Sequence, residues 1–97
     1  MAVIEHALLS VRAGEEAAFE AGVQAARALI AASPGFHSLE IRRPIENGAP
    51  YLLLATWRSV ADHRDGFRMS ARYQQWRALL HRFYDPMPEV SYFGDPL

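Results

Sequence analysis

The sequence predicts an α+β fold, with a four-stranded antiparallel sheet, helices on one face of it, and elements in the order β-α-β-β-α-β. Three observations support this prediction. Residues 15–32 carry apolar side chains at helical spacing, short alternating segments lie on both sides of them, and an Asn47-Gly48 pair separates two of these segments. At 97 residues the chain is expected to form a single domain, 1–97, with one modest core.

The first half of the chain predicts a strand followed by a helix. Residues 3–12 are rich in Val, Ile and Leu and alternate roughly with polar residues, which is typical of a strand that ends before Gly14. Residues 15–32 then form the most clearly marked helix. Its apolar residues at helical spacing are Phe19, Val23, Ala26 and Ile30. The segment 33–35, Ser-Pro-Gly, ends this helix because proline cannot continue it and glycine accepts a left-handed conformation.

A hairpin follows the helix. Residues 36–43 alternate in polarity, the segment Glu46-Asn47-Gly48-Ala49 contains the strongest short hairpin signal, and the apolar residues 51–57 form the returning strand. Trp57 stands at the end of that strand, just before a helical region begins. A large amphipathic ring in this position is expected to form one wall of a pocket.

The last third of the chain predicts an interrupted helix and a final strand. Ser59 is expected to cap the helical region through Asp62, and Gly66 and Ser70 divide it into a short piece and a longer one, 71–83. Pro86 and Pro88 end the helix, and residues 89–93 form the last strand. This order of elements is the ferredoxin-like split βαβ arrangement. Its helices cover one face of the sheet, so the apolar side chains on the other face need a partner.

Composition excludes several classes of function. Ten basic and eleven acidic residues leave the chain close to neutral, so we expect binding neither to nucleic acid nor to an anionic membrane. All ten basic residues are arginine and no cysteine is present, which excludes lysine Schiff bases, disulfides and thiolate chemistry. No stretch approaches the roughly 20 apolar residues of a membrane span. A soluble, cytoplasmic protein is expected.

Several segments resemble the antibiotic biosynthesis monooxygenase (ABM) family of dimeric α/β barrels, and the similarity extends over nearly the whole chain. The segments are Ser33-Pro34-Gly35-Phe36, Tyr51 to Ser59, Ala61-Asp62-His63, Ser70 to Tyr73, Trp76-Arg77 and Pro88 to Tyr92. The resemblance implies a homodimer in which two sheets form a barrel, with a pocket between the sheet and helices of each subunit. Activities in this family include cofactor-free oxygenation of quinols and anthrone-like polyketides, haem degradation and small-metabolite chemistry.

The resemblance also implies site residues. Oxygenases of aromatic polyketides in this family have a tryptophan where Trp57 stands and an arginine where Arg77 stands, whereas His63 replaces their tyrosine and Leu53 their asparagine. The catalytic candidates are therefore His63 as a base, Arg77 as the group that holds a substrate oxygen, and Trp57. The three residues of the haem-degrading branch fall on Ala7, Gly66 and Trp76, which disfavours that activity.

Four further residues are candidates for substrate binding: His6, Tyr51, Tyr73 and Trp76. Each candidate also has a purely structural interpretation, since aromatic residues are often core, arginines are often solvated, and histidines and tyrosines also occupy subunit interfaces. No histidine spacing indicates a metal site and no glycine motif indicates a nucleotide, so no cofactor is expected.

Two hypotheses about function remain open at this point. The first is a cofactor-independent monooxygenase that acts on a small aromatic quinol or polyketide. The second is a non-catalytic dimeric module that binds a metabolite or accompanies an enzyme. A pocket reached by Trp57, His63 and Arg77 favours the first hypothesis, and a purely apolar pocket favours the second.

Overall fold

The computed structural model describes residues 2–97 and has the predicted element order. The helices and strands are β1 (Val3–Leu9), α1 (Glu16–Ala31), β2 (Phe36–Arg42), β3 (Tyr51–Trp57), α2 (Ala71–Leu80) and β4 (Ser91–Phe93). The four strands form one antiparallel sheet in the order β2-β3-β1-β4. The predicted α+β, ferredoxin-like fold is therefore confirmed.

Element boundaries differ from the prediction where the chain finds other backbone partners. β1 ends at Leu9, because the next groups bond to the chain beyond α2: the Asp85 amide donates to the Ser10 carbonyl at 2.9 Å and the Arg12 amide to the Phe83 carbonyl at 2.9 Å. α2 ends at Leu80, and residues 81–83 tighten into a 3₁₀ turn. β4 begins only at Ser91, and its three residues pair with Ile4, Glu5 and His6 of β1.

The core lies between the helices and one face of the sheet. Odd-numbered residues of β1 and β3 point toward the helices, and Ala7, Leu9, Leu53 and Ala55 among them are almost fully buried. α1 covers them with Phe19, Val23, Ala26 and Ile30. These are the four residues predicted from helical spacing, and all four are buried. Packing of this apolar face, more than intrinsic helix propensity, stabilises α1.

A π-helical segment, Asp62–Phe67, connects β3 to α2. Ser59 Oγ accepts from the Asp62 amide at 3.1 Å and donates to the Asp62 carboxylate at 2.9 Å, so the predicted capping contact forms. The Asp62 carboxylate lies so close to Gly35 that no Cβ would fit there, and Gly35 has a φ of +80°. These contacts anchor the segment to the start of β2. π-Helical turns are rare and frequently lie at functional sites, and this one carries His63.

The other face of the sheet has no covering layer among residues 2–97. Even-numbered residues of β1 and β3 lie on this open face, together with Phe93 of β4. Leu8 is 51% exposed and Phe93 54% exposed. Within the same residues, no helix combines the length and apolar character needed to cross a membrane.

Candidate active site

A cavity of about 360 Å³ lies between the helix-covered face of the sheet and α2. Its volume is at the lower end of the range for small-molecule pockets, which suits a ligand of one to three rings. Glu5, Ala7 and Leu9 of β1 form the floor with Leu53 of β3. The remaining lining residues are Ile30, His63, Phe67, Arg68, Tyr73, Trp76, Arg77, His81, Tyr84, Met87, Pro88 and Val90.

Glu5 is the carboxylate on the cavity floor, and only 6% of the residue is exposed. It lies on the core face of β1, between Ala55 of β3 and Tyr92 of β4. The Trp57 indole N–H donates to Glu5 Oε1 at 2.9 Å. Burial raises the pKa of Glu5 to about 7, and the Trp57 hydrogen bond and the Arg68 charge only partly oppose this shift. Glu5 therefore exchanges a proton near neutral pH.

His63 connects Glu5 to Tyr92. Its Nε2 lies 3.3 Å from Glu5 Oε1 and its Nδ1 lies 2.6 Å from the Tyr92 hydroxyl oxygen. Burial, assisted by the positive charge of Arg68, lowers the pKa of His63 to about 4, so the imidazole is neutral at pH 7. The contact between Nε2 and Glu5 lacks hydrogen-bond geometry, whereas Nδ1 shares a hydrogen bond with the Tyr92 hydroxyl, in which the direction of donation depends on the tautomer of the neutral ring.

Two arginines give the cavity a positive potential. Arg68 and Arg77 line it and are exposed to solvent, which places their guanidinium groups at its opening. Among residues 2–97, no carboxylate lies within ion-pair distance of either one, although Arg68 lies 5.9 Å from the centre of the Tyr73 ring. Burial and both arginines lower the pKa of His81, which also lines the cavity. The opening therefore favours an anionic or electron-rich ligand.

Four of the residues predicted from sequence line this one cavity: His63, Tyr73, Trp76 and Arg77. Trp57 does not. Its ring is completely buried behind the floor, where it packs against Phe36 and His63 at centroid distances of 5.4 and 5.2 Å. The prediction that Trp57 forms a pocket wall therefore needs correction, because its structural contribution is the hydrogen bond to Glu5.

His6 and Tyr51 also lie away from the cavity. His6 occupies an even position of β1 and packs edge-on against Phe93 at 5.7 Å on the open face of the sheet. Tyr51 lies at the other end of β3, where its hydroxyl donates to Glu20 at 2.7 Å. His6 faces away from the cavity because successive side chains of a strand point to opposite faces of the sheet. Tyr51 lies too far from the cavity because it stands at the opposite end of the seven-residue strand β3. Neither side chain reaches a ligand bound in this cavity.

Sequence reasoning missed Glu5, Arg68 and His81 as lining residues, and it treated Tyr92 only as one of several tyrosines. A signal for Glu5 was present. Glu5 shares the odd-numbered phase of Ala7 and Leu9, so an alternating strand places its carboxylate in the core, where a buried charge usually serves a function. His81 gave no comparable signal, because it lines the cavity only through the 3₁₀ turn after α2.

Comparison with known proteins identifies the family. The family model for antibiotic biosynthesis monooxygenases matches residues 2–79. The chain belongs to this family. The uncharacterized protein YczJ of Bacillus subtilis (strain 168) is 41% identical over 93 residues, which make up 96% of this ABM chain and 98% of that protein.

Solved structures agree with this assignment. A protein from Bordetella bronchiseptica, solved as a proposed antibiotic biosynthesis monooxygenase, superposes with a TM-score of 0.93 at 36% identity and covers 99% of this chain and 98% of its own. SnoaB from Streptomyces nogalater, described as a cofactor-independent oxygenase, superposes with a TM-score of 0.84 at 19% identity, with 99% of this chain and 94% of SnoaB covered. The second similarity shows that the ABM fold is shared.

Proposed function

We propose that this ABM protein is a cofactor-independent monooxygenase that oxidises a small aromatic hydroxy compound, of the quinol or anthrone type, with O₂. The observation that carries the proposal is the cavity itself. Aromatic side chains, Phe67, Tyr73 and Trp76, wall it, a titratable carboxylate lies on its floor, and at its opening lie two guanidinium groups that have no carboxylate partner among residues 2–97. SnoaB, which has the same fold, is described as a cofactor-independent oxygenase.

The proposed chemistry requires a proton acceptor and a stabilised oxyanion. Loss of a proton from the substrate leaves an electron-rich anion that transfers electrons to O₂ directly. For an anthrone-type substrate, the ring CH₂ becomes C=O with one oxygen atom, and the other oxygen atom leaves as water. The substrate supplies all four electrons. Arg77, exposed at the opening and without a carboxylate partner among residues 2–97, would hold the developing negative charge.

The other two catalytic candidates, His63 and Trp57, contact protein groups rather than offer a free polar atom to the cavity. His63 is neutral and lines the cavity, but both of its ring nitrogens already have partners. Trp57 contacts Glu5 and His63 instead of the cavity. Leu53, which replaces the asparagine of the polyketide oxygenases, adds apolar surface to the floor. The reaction would therefore depend on fewer direct polar contacts than in those enzymes.

A homodimer is part of this proposal. The open face carries Ile4, Leu8, Leu52, Leu54 and Phe93, an apolar surface of the kind that monomers rarely leave uncovered. A second copy of the sheet would cover it. Sedimentation should show a dimer that Leu8→Glu converts to monomer, whereas Met69→Glu, at an exposed position outside the sheet, should leave it dimeric. A monomeric wild-type protein would contradict this part of the proposal.

Oxygen consumption tests the proposed activity. Metal-stripped protein is incubated with a panel of hydroquinones and anthrones, and O₂ uptake and oxidised product are followed beside Arg77→Gln and His63→Gln. We expect uptake well above the spontaneous rate, reduced about 10²-fold in each variant. Arg27→Gln, on α1 outside the cavity, is the matched control and should retain full activity.

The alternative function, a non-catalytic metabolite-binding module, predicts a different result. In that case folded protein binds the panel compounds in the cavity, as measured by quenching of Trp76 fluorescence, and O₂ uptake stays at the spontaneous rate. Arg77→Gln then weakens binding without any change in uptake.

A further inference from the structure

We propose that Glu5, and not His63, is the group that accepts the substrate proton in this cavity, and that His63 and Tyr92 position its carboxylate. This inference rests on the proposed function and assigns its proton acceptor. Neither the family model nor the resemblance identified Glu5, and the sequence analysis assigned the role to His63.

The two oxygens of the Glu5 carboxylate differ in their contacts. Oε1 accepts from Trp57 Nε1 at 2.9 Å and lies 3.3 Å from His63 Nε2. Among residues 2–97, no donor lies within hydrogen-bond distance of Oε2. Because Glu5 lines the cavity, Oε2 is the oxygen left for a ligand. The Trp57 indole fixes one side of the carboxylate, and among residues 2–97 the other side has no donor.

His63 is poorly arranged to take the proton itself. Its Nδ1 lies 2.6 Å from the Tyr92 hydroxyl oxygen and its Nε2 lies 3.3 Å from Glu5 Oε1, so both ring nitrogens face protein oxygens. Tyr92 belongs to β4, and its hydrogen bond with Nδ1 holds the imidazole ring in this orientation. A substrate would have to displace Tyr92 before it could reach Nδ1. Orientation of Glu5 is the role that the contacts allow.

The proton step is simple to balance. In a quinol the hydroxyl O–H bond breaks, and in an anthrone a C–H bond of the ring CH₂ breaks; an O–H bond forms at Glu5 Oε2, and the electron pair stays on the substrate, delocalised onto its oxygen. Net charge moves from the carboxylate to the substrate, toward the positive opening of the cavity formed by Arg68 and Arg77. No oxidant takes part in this step, and O₂ reacts only with the resulting anion.

The surroundings of Glu5 set its proton affinity. Burial favours the protonated carboxyl, while Trp57 and Arg68 favour the carboxylate, and the pKa of about 7 that results is well matched to a general base at neutral pH. The other charged or titratable groups that contact Glu5 or share its cavity are His63, Tyr73, Arg77, His81, Tyr84 and Tyr92.

Trp57 fluorescence tests the ionisation of Glu5 without any substrate. Trp76→Phe leaves Trp57 as the single tryptophan, in direct contact with Glu5. We expect its emission to change with a midpoint near pH 7, a transition that Glu5→Gln abolishes and Glu46→Gln, in the β2–β3 loop, preserves. His63→Gln and Tyr92→Phe should shift the midpoint, because each changes the polar group that lies 3.3 Å from Oε1 or the hydroxyl that orients it. A transition that survives in Glu5→Gln would overturn the assignment.

Oxygen uptake then tests the catalytic role. Glu5→Gln keeps the size and the Oε1 acceptor, and it should lower kcat about 10²-fold or more with little change in KM. Tyr92→Phe should shift the pH profile of kcat in the same direction as the fluorescence midpoint. If the wild type is active and Glu5→Gln keeps activity within about 3-fold, Glu5 is not the base and the proposed function stands. If the wild type consumes no O₂ with any compound, both proposals fail together.

Discussion

Glu5 and Glu20 lie at opposite ends of the layer between the helices and the sheet, and the protein treats these two carboxylates in opposite ways. Glu5 is buried beside one neutral donor, Trp57, and its pKa rises to about 7. Glu20 is partly exposed, accepts from Arg43 at 2.6 Å and from Tyr51 at 2.7 Å, and its pKa falls to about 2. Access to water and the charge of the donor decide the direction of each shift.

The difference separates a reactive group from a structural one. Glu20 stays ionised at any physiological pH and holds α1 to the end of β2 through Arg43. Burial raises the pKa of Glu5 to about 7, and of these two carboxylates only Glu5 lines the aromatic cavity.

The largest expected effect is on the pH dependence of stability. Between pH 4.5 and about 7 the folded state holds a Glu5 proton that the unfolded chain has lost, so this group makes stability fall as pH rises. Between pH 4 and 6.5 the unfolded chain holds a His63 proton that the folded state lacks, so this group makes stability rise with pH. The two contributions nearly cancel in the wild type.

Single variants should reveal each contribution. Relative to wild type, Glu5→Gln should become more stable as pH rises from 4.5 to about 7, by about 3 kcal/mol in the free energy of unfolding. His63→Gln should become less stable than wild type over a similar range, as pH rises from 4 to about 6.5, by about 3 kcal/mol. Urea denaturation across this range measures both. Parallel curves for Glu5→Gln and wild type would show that Glu5 has an ordinary pKa.

Trp57→Phe should have the next largest effect. The change removes the N–H that donates to Glu5 Oε1 and leaves a small void in the core, at a cost of about 2 kcal/mol. The loss should be greater above pH 7, where Glu5 is ionised, than below it.

Trp76→Phe is the matched control for this prediction. Its indole N–H contacts no carboxylate among residues 2–97, so its effect on stability should not depend on pH near 7. Equal pH dependence in the two tryptophan variants would show that the Trp57 hydrogen bond does not stabilise the ionised Glu5 carboxylate.

Tyr92→Phe should cost less, about 1 kcal/mol, because it removes one neutral hydrogen bond and leaves His63 Nδ1 without a partner. Tyr73→Phe, whose hydroxyl makes no hydrogen bond to another group among residues 2–97, should be close to neutral in the same denaturation experiment. The ¹⁵N shifts of His63 should change toward the other tautomer in Tyr92→Phe alone. Unchanged shifts would show that Tyr92 does not fix the ring.

The contrast between the two glutamates also shows what sequence could predict. Periodicity placed α1, the hairpin and the sheet, because these elements depend on local patterns and on burial of one face. The resemblance to ABM proteins placed His63, Tyr73, Trp76 and Arg77 near one another. Neither signal could place Tyr51, since the register of seven paired residues between β1 and β3 decides which end of the strand meets the cavity. Sequence reasoning missed Glu5 because the side chains that contact its carboxylate, Trp57 and His63, come from distant parts of the chain.

Arg43→Gln tests the other half of the comparison and should have the smallest effect at neutral pH. Arg43 is the main cause of the lowered pKa of Glu20, so its removal should return that pKa toward 4.5, which a carbon-detected NMR titration of the Glu20 carboxyl measures. The lowered pKa contributes stability that is present above pH 4.5 and lost as pH falls toward 2, so wild type and variant should converge in acid. Because 77% of the Arg43 side chain is exposed, added salt should also reduce their difference at pH 7. The same salt should leave the Trp57 fluorescence midpoint almost unchanged, since ions do not enter the buried Glu5–His63 contact. A midpoint as sensitive to salt as the Glu20 titration would mean that Glu5 is solvated, and the distinction between the two carboxylates would fail.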